Sequence, residues 1–249
     1  SYVASFSFVA SDVLICSRTE NTEKFWSTIG GMGLTGIILS AKFKLKNIET
    51  AYIRQESIKA ENLDEIFQLF DDSEEWTYNV AWIDCLQTGK NIGRSIMMRG
   101  EHAFKHQLPK NLEENPLPLK KKINPTIPFY FPNFVLNNLT VKIFNFFYFN
   151  KQSKKESKSY IDYETFFYPL DVMNDWNKIY GKGGFIQYQM VIPKEKGKEG
   201  MRKILDTIAK SGNGSVLAVL TLFGKTVPEA NNSFPFEGST LDLDLKVIA

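Results

Sequence analysis

The alternation of hydrophobic and polar positions predicts two stretches with the same order of elements. Each begins with a strand, continues with an amphipathic helix and ends with two further strands. The predicted elements are the strand 49–58, the helix 61–72 and the strands 76–86 and 94–100 in the first stretch, and the strand 184–193, the helix 198–212 and the strands 215–224 and 239–248 in the second. Two β-α-β-β units predict an α+β fold, in which one mainly antiparallel sheet carries helices on one face and leaves the other free for a site.

Alternation with a period of two also predicts which residues share the free face. In the first and last strands of the second stretch, the residues predicted to face the core are Ile186, Tyr188, Met190, Ile192, Leu241, Leu243, Leu245 and Val247. Gln187, Gln189 and Asp242 then point to the opposite face. The two glutamine amides could bind a ligand, or they could face solvent on a one-sided sheet. Trp82 shares a face with Asp84, and its indole would either anchor a ligand or pack in the core.

The segment FWSTIGGMGLTGIIL contains a glycine-rich loop with the spacing G-x-G-x-x-G. Its glycines are Gly30, Gly31, Gly33 and Gly36. A dinucleotide-binding fingerprint needs a strand before the glycines and a helix after them, because the helix N-terminus faces the pyrophosphate. Here a helix is predicted for 21–30 and a strand for 37–48, which excludes the Rossmann interpretation. Two interpretations remain: a helix C-cap with a turn, or a loop against which a flavin or nucleotide lies.

An insertion at about 109–168, rich in proline, lysine and aromatic residues, separates the two units. Eight lysines and one glutamate lie between Lys120 and Lys158, a local charge of +7 in a chain with a formal net charge of +2. Insertions of this length commonly form lids or binding loops. The aromatic stretch fits an interfacial segment that binds anionic headgroups or a lipid chain. It also fits a helical hairpin that packs on its own core and leaves its lysines in water.

The composition of the 249 residues narrows the possible classes of function. A hydrophobic content of 43% can fill a core, and the small net charge gives no indication of nucleic-acid binding. Cys16 and Cys85 are too few for a disulfide framework, and His102 and His106 lack an obvious third metal ligand, so no metal site is expected. The sequence shows neither a secretory signal nor an uncharged apolar run of about eighteen residues. We therefore expect a cytoplasmic or peripheral membrane location.

Four segments together carry a resemblance to a known family: CSRTENTEKFWSTIGGMGLTGIIL, AWID, FFYPLDVMNDWNKIYGKGGFIQYQMVIP and SFPFEGSTLDLDL. The chain resembles the flavin-linked oxidoreductases of the vanillyl-alcohol oxidase type and, within them, the decaprenylphosphoryl-ribose 2'-oxidase branch. The resemblance implies that residues 1–47 are the C-terminal part of an FAD-binding α+β domain and that 48–249 form a substrate-binding cap. Both ends of the chain are strand-like, and the phosphate-binding half of the FAD domain is missing. We therefore expect a fragment that holds FAD poorly.

The resemblance also implies the residues of the site, although it assigns no catalytic residue. The expected FAD-binding residues are Gly30, Gly31, Gly33, Gly36 and Ile37, with Gly36 and Ile37 as the principal contacts. In the family the sheet of the cap lies over the isoalloxazine, and the matching substrate-binding residues are Trp82, Phe167, Gln187, Gln189, Leu217, Thr221 and Asp242. Thr221 stands where the mycobacterial branch has a lysine, and Asp242 where it has a cysteine. The substrate is therefore expected to differ.

These features together predict an FAD-dependent oxidoreductase that oxidises a secondary hydroxyl by hydride transfer to the flavin. The resemblance implies a sugar or lipid-linked sugar as the substrate and a reductase or epimerisation partner. The alternative is a non-catalytic binding module whose sheet face and basic aromatic insertion bind a membrane surface or a partner. Flavin that stays with the purified protein would favour the enzyme. Binding to liposomes would test the role of the insertion, with a salt series to reveal its electrostatic part.

Overall fold

The computed structural model describes residues 3–9, 13–119, 122–223 and 238–246. The chain divides into two compact units, which are Ser1–Asn47 with Phe223–Glu237, and Ile48–Leu222 with Gly238–Ala249. The predicted division into domains 1–47 and 48–249, with the function given to each, stays a prediction. The predictions made for Lys120, Lys121, Val247 and the side chains of 242–246 lie outside what the structure describes.

The first unit is a three-stranded antiparallel sheet with one helix. Its elements are β1 (Val3–Val9), β2 (Val13–Ser17), α1 (Thr22–Thr28) and β3 (Ile37–Phe43), and the strand order is β2-β1-β3. The buried residues of this unit are Phe6, Phe8, Cys16, Phe25 and Trp26. The predicted order of helix, glycine loop and strand is confirmed. β3 ends at Phe43 rather than at residue 48, since Phe43 pairs with Val3, the first described residue of β1.

The second unit is built on a seven-stranded sheet. Its elements are β4 (Tyr52–Ala60), α2 (Leu63–Asp71), β5 (Tyr78–Ile83), β6 (Ser95–His102), α3 (Lys110–Glu113), α4 (Asn138–Lys151), β7 (Glu156–Asp162), α5 (Tyr163–Phe167), β8 (Phe185–Pro193), α6 (Gly197–Ser211), β9 (Ala218–Phe223) and β10 (Gly238–Lys246). The strand order is β7-β4-β6-β5-β9-β10-β8, and every pair with a described register is antiparallel. The α+β class and both predicted β-α-β-β units are confirmed.

Two amphipathic helices, α2 and α6, cover one face of this sheet. Asn62 caps α2 by accepting a hydrogen bond from the backbone N–H of Glu65 at 3.0 Å. α6 ends at Gly212, whose φ of 71° is the left-handed conformation that commonly terminates helices. The residues buried between these helices and the strands are Leu63, Ile66, Phe70, Met201, Leu205, Ala81, Ile83, Met97, Leu220 and Leu241. The predicted core position of Leu241 is therefore confirmed.

The face opposite α2 and α6, here called the second face, is covered at two places by the insertion. Trp82 and Ile96 are cross-strand partners on this face, and both are buried in one cluster with Phe149 of α4. A second contact lies further along β6, where the Phe166 ring of α5 packs against Gly100. A Cβ atom on Gly100 would lie 2.8 Å from this ring. The expectation of a free second face is thus corrected. The insertion buries part of its own apolar surface there.

The structure does not form the helical hairpin with its own core that was one of the two interpretations of the insertion. The helix α4 docks on the sheet instead, and its buried residues are Val141, Asn145 and Phe149. The insertion also supplies β7, an unpredicted edge strand that pairs with β4 from Tyr52↔Asp162 to Ile58↔Glu156. A sheet edge offers unpaired backbone groups to any neighbouring strand, and this edge is used within the chain.

A buried carboxylate fixes α4 to the sheet. Asp84 follows β5, is 1% exposed, and accepts hydrogen bonds from Arg94 Nε at 3.0 Å and Arg94 Nη2 at 2.7 Å. Its other oxygen accepts from Asn145 Nδ2 of α4 at 2.8 Å and from the backbone N–H of Leu86 at 3.1 Å. The Arg94 guanidinium lies 4.9 Å from the centre of the Phe149 ring. A single ionised group therefore joins β5, the segment before β6, and α4.

Replacement of Asp84 should destabilise the protein strongly. In the substitution Asp84→Asn the guanidinium of Arg94 stays buried without its counter-charge, and we expect a loss of about 3 kcal/mol in the free energy of unfolding. Urea denaturation measures it. The control is Asp206→Asn, which removes the exposed Asp206–Lys210 ion pair of α6 and should cost less than about 1 kcal/mol. Equal effects of the two substitutions would contradict the role given to Asp84.

Candidate functional site

Strand register shows which predicted substrate-binding residues share the second face. Trp82 pairs with Val219 of β9, and residues directly opposite each other lie on the same face of a sheet. Thr221, two residues further along β9, therefore belongs to the second face as well. On β10, Leu241 is part of the core beneath α2 and α6, so the adjacent Asp242 holds a register position of the second face.

The edge strand β8 brings both glutamines to the same face. Its register places Gln189 opposite Asp242 and Gln187 opposite Asp244. Both glutamines are exposed. Five predicted substrate-binding residues thus share one face, and they come from four neighbouring strands, β5, β9, β10 and β8. They are Trp82, Gln187, Gln189, Thr221 and Asp242. The shared face thus carries two amides, a hydroxyl and the register position of a carboxylate, spread over neighbouring strands.

The other face of β8 differs from the prediction. Met190 and Ile192 pack against the core, as predicted, but Ile186 is 58% exposed and Tyr188 is 56% exposed. The reason is the reach of α6, which contacts β8 near Ile192, where a Cβ on Gly200 would lie 3.1 Å from the Ile192 side chain. The predicted alternation of β8 is therefore correct, but α6 covers only the C-terminal half of the strand.

Trp82 is a core residue rather than an open anchor. It is 5% exposed, and its indole N–H donates a hydrogen bond to the carbonyl oxygen of Val216 at 3.2 Å. Its ring lies 4.6 Å from that of Tyr148 in α4. Of the two alternatives raised by the sequence, packing is the one observed. The indole N–H is therefore already paired within the protein.

Phe167 and Leu217 occupy the margins of this face. The Phe167 ring of α5 stands edge-on to Tyr78, with ring centroids 4.8 Å apart, and is 39% exposed. Leu217 is half-buried just before β9, where its backbone N–H donates to Ser215 Oγ at 3.0 Å. Sequence reasoning missed Tyr78 and the position of His102, whose ring lies 5.7 Å from that of Tyr78. The alternation of β5 and β6 was the signal that could have found both.

The two histidines do not share a helix. His102 is the last residue of β6 and His106 lies in a short 3-10 turn, Lys105–Gln107, so their spacing of four does not bring them to one helical face. Within the described ranges of the chain, no group of three or more His, Cys, Asp or Glu side chains could hold a metal ion.

The glycine loop of the first unit combines two kinds of glycine. A Cβ at Gly31 would lie 2.4 Å from the Ser27 carbonyl oxygen, and one at Gly36 would lie 2.4 Å from the Val9 carbonyl oxygen, so both are required by local packing. Gly33 has a φ of +73° and would place a Cβ in open space, with nothing within 4 Å. Gly33 is therefore accounted for by the turn conformation of its backbone, and the space beside it is open.

The exposed side chains beside this loop are apolar. Met32 is 75% exposed, Leu34 is 89% exposed, and Ile37, the predicted flavin contact at the start of β3, is 68% exposed. Gly30 has a φ of 77° and follows the C-cap residue of α1. The four glycines and Ile37 thus lie in the first unit, while every predicted substrate-binding residue lies in the second.

A polar cavity of about 680 Å³ lies beside α5 in the second unit, and its lining includes Lys122, Glu164, Tyr168 and Asp171. Lys122 Nζ forms an ion pair with Asp162 and donates to Thr165 Oγ1 at 2.6 Å. Burial alone would raise the pKa of Asp162, but hydrogen bonds from Lys122 and Thr165 outweigh it and hold that pKa below its usual value. Within the insertion, these contacts join the segment around Lys122 to the start of α5.

Among the helices in the part of the chain that the structure describes, none has the length and apolar character needed to cross a membrane.

Comparison with known proteins indicates the class of protein to which this chain is related. No family model matches the chain. The sequence is related to that of an oxidase over nearly all of its length, which confirms the resemblance to the flavin-linked oxidases seen in the sequence. The relative is the decaprenylphosphoryl-β-D-ribose oxidase of Mycolicibacterium smegmatis, which is 35% identical over 231 residues, covering 92% of this chain and 50% of the relative.

A second relative matches a shorter region. It is a Streptomyces coelicolor protein named for its position in the mprA 5' region, 30% identical over 123 residues, or 49% of this chain and 34% of the relative. The chain therefore spans half or less of the length of either protein.

Proposed function

We propose that this chain is part of an FAD-dependent oxidoreductase that oxidises a secondary hydroxyl of a lipid-linked sugar. The observation that carries the proposal is the 35% identity, over 92% of the chain, to decaprenylphosphoryl-β-D-ribose oxidase. The sharing of one sheet face by five predicted substrate-binding residues supports it. Because the chain covers 50% of that relative, the activity is proposed for a whole protein to which these residues contribute.

The first unit would contribute contacts to the cofactor. The open space in front of Gly33, with its φ of +73°, fits the approach of a flat ligand to the backbone. Ile37 and Leu34 add exposed apolar surface on either side of Gly36. FAD, when bound, supplies the redox chemistry by accepting a hydride equivalent from a carbon that bears a hydroxyl.

The second unit would contribute the sugar site. Amide groups both donate and accept hydrogen bonds, so Gln187 and Gln189 can hold neighbouring sugar hydroxyls in one orientation. Trp82 and Phe167 would provide apolar walls against the sugar ring. The reaction removes a hydride from the carbinol carbon and a proton from its hydroxyl, leaving a keto sugar. A reductase that acts on this keto sugar, so that the two steps together epimerise the sugar, stays a predicted partner.

We also propose that the protein works at a membrane surface through α4. This helix buries one narrow side and exposes large apolar side chains elsewhere, namely Leu139, Ile143, Phe144, Phe146 and Phe147. Lys142 lies on the same helix, and Lys151 and Lys154 lie at its C-terminal end. Exposed aromatic residues beside lysines are the composition of helices that lie in the headgroup region of anionic bilayers.

The glycine loop can be tested without disturbing the fold. Asn tolerates the left-handed conformation, so Gly33→Asn should fold normally while it fills the open space, and FAD affinity should fall about tenfold. Titration of the polypeptide with FAD, followed by fluorescence, measures the affinity. Gly89→Asn is the matched control, since Gly89 has a φ of +62° and a Cβ added there would also meet nothing within 4 Å. Equal FAD affinities of the two variants would contradict the proposed contact.

The sugar site can be tested by binding of a soluble substrate analogue, farnesylphosphoryl-β-D-ribose. Gln187→Ala and Gln189→Ala should each weaken binding about three- to tenfold, the equivalent of one lost hydrogen bond. Calorimetry measures the dissociation constant. Gln68→Ala on α2 is the control, because Gln68 is exposed and donates to Asp72 at 2.9 Å, away from the second face. Unchanged affinity in both β8 variants would refute their role.

The membrane proposal predicts sedimentation with vesicles that contain phosphatidylglycerol. Phe146, 54% exposed, and Phe147, 67% exposed, should insert, so the double variant Phe146→Ser/Phe147→Ser should lose most of the bound fraction. The control is Phe43→Ser/Leu45→Ser, which removes exposed apolar groups from the first unit. High salt should weaken binding of the unaltered protein. The same loss in both double variants would indicate non-specific adsorption instead.

A further inference from the structure

A second cavity, of about 400 Å³, lies where the C-terminal end of α4 meets the second face. We call it the α4 groove. Its lining includes Ser57 of β4, Met98 of β6 and Ser157 of β7, with Tyr148, Lys151 and Lys154 from α4 and the turn after it. Ser57 is the cross-strand partner of both Met98 and Ser157, so the three strands form a continuous floor.

The α4 groove is separate from the proposed sugar site. Its floor lies at one edge of the seven-stranded sheet, whereas Gln187 and Gln189 lie on β8 at the opposite edge. Four strand spacings separate β6 from β8 in the strand order, which is roughly 19 Å at the usual distance between neighbouring strands. A ligand of the groove is therefore a different molecule from the sugar proposed for the glutamines.

The charge of the α4 groove has one sign. Lys151 and Lys154 are charged residues of its lining, and the described lining residues include no aspartate or glutamate. Among the described carboxylates, none forms an ion pair with either lysine. Lys158 differs, since it pairs with Glu56 at 2.7 Å. Two ammonium groups without a paired carboxylate beside a cavity favour an anion.

The polar groups of the groove are held in place by the fold. Gln152 Nε2 donates to the carbonyl oxygens of Ser57 at 2.9 Å and Lys155 at 3.0 Å, which fixes the turn after α4. Gln55 Nε2 donates to Ser57 Oγ at 2.7 Å. The Ser57 hydroxyl therefore accepts within the protein and keeps its own hydrogen for another acceptor. A hydroxyl donor and two ammonium groups suit the oxygens of a phosphate group.

The groove adjoins the exposed aromatic side of α4. Tyr148 lines the groove, and its ring lies 5.8 Å from that of Phe144, which is 42% exposed. Phe147, 67% exposed, precedes Lys151 by four residues, and residues with this spacing are neighbours on the surface of a helix. An anion held by Lys151 therefore has exposed aromatic rings beside it. This combination fits a phosphate that carries hydrocarbon chains.

We propose that the α4 groove is a binding site for one anionic phospholipid molecule, with the phosphodiester at Lys151 and Lys154 and the acyl chains along Phe144 and Phe147. The occupant follows from the complementary charge and from the apolar surface beside it. The proposal deepens the membrane role proposed for α4 and rests on that role for the source of the lipid. It adds a saturable site for a single molecule, which a general attraction between lysines and an anionic surface would not give.

Calorimetry with dihexanoylphosphatidylglycerol, below its micelle concentration and at low salt, tests the site on the unaltered chain. Binding should saturate at one lipid per chain. The double variant Lys151→Gln/Lys154→Gln should bind about tenfold more weakly or less, because two charge-assisted contacts are lost. The control Lys203→Gln/Lys210→Gln removes the same charge from exposed positions on α6, and it should bind as the unaltered protein does.

Three results would overturn the proposal. The first is equal affinity of the two double variants for the lipid. The second is binding that does not saturate, which would indicate diffuse attraction between charges. The third is equal affinity of the unaltered chain for glycerol phosphate and for the lipid, which would make the groove a site for a free phosphate.

Sedimentation with phosphatidylglycerol vesicles separates failure of the groove from failure of the membrane role. Equal lipid affinity of the two lysine double variants, together with vesicle binding that is lost in Phe146→Ser/Phe147→Ser, would overturn the groove alone. Lysine-dependent binding of the soluble lipid without sedimentation of the unaltered protein would support the groove and contradict the membrane role. These probes carry no sugar and need no flavin, so failure of the proposed oxidase would leave both results unchanged.

Discussion

The arrangement of the second unit depends on one buried ion pair, between Asp84 and Arg94. A carboxylate that is 1% exposed has lost its hydration, and hydrogen bonds from Arg94, Leu86 and Asn145 compensate for that loss. Asn145 comes from α4, 61 residues along the chain. The hydrogen bond that the buried Asp84 carboxylate accepts from Asn145 therefore determines where α4 of the insertion docks.

The consequences of this docking spread over the surface of the sheet. Once Asn145 is fixed, the periodicity of α4 brings Tyr148 and Phe149 onto Trp82 and Ile96. The same rotation turns Phe146 and Phe147 outward, because a helix that is apolar on all sides cannot bury every side against one sheet. The buried contacts of α4 and its exposed aromatic surface are thus two results of one helix orientation.

The sequence predicts those features that depend on neighbours along the chain. The two β-α-β-β units, the order around the glycine loop and the shared face of Gln187 and Gln189 all follow from periods of 2 and 3.6. The docking of α4, the pairing of β7 with β4 and the exposure of Ile186 depend on contacts between distant segments. The i, i+2 pattern states the face of a residue, but it does not state how far a covering helix reaches. For that reason the pattern predicts Tyr188 in the core, whereas the residue is 56% exposed.

The same distinction explains why the glycine spacing alone is uninformative. Gly31 and Gly36 are glycines because carbonyl oxygens of Ser27 and Val9 occupy the space of a Cβ, a requirement of folding that any tight helix-to-strand turn could impose. Gly33 meets no such neighbour and differs from both by its open surroundings. A fingerprint counts these three residues alike, whereas the structure separates two whose Cβ position is blocked by backbone from one that is glycine because of its φ of +73°. Each of the three glycines therefore has a local structural reason, and the spacing by itself says nothing about a ligand.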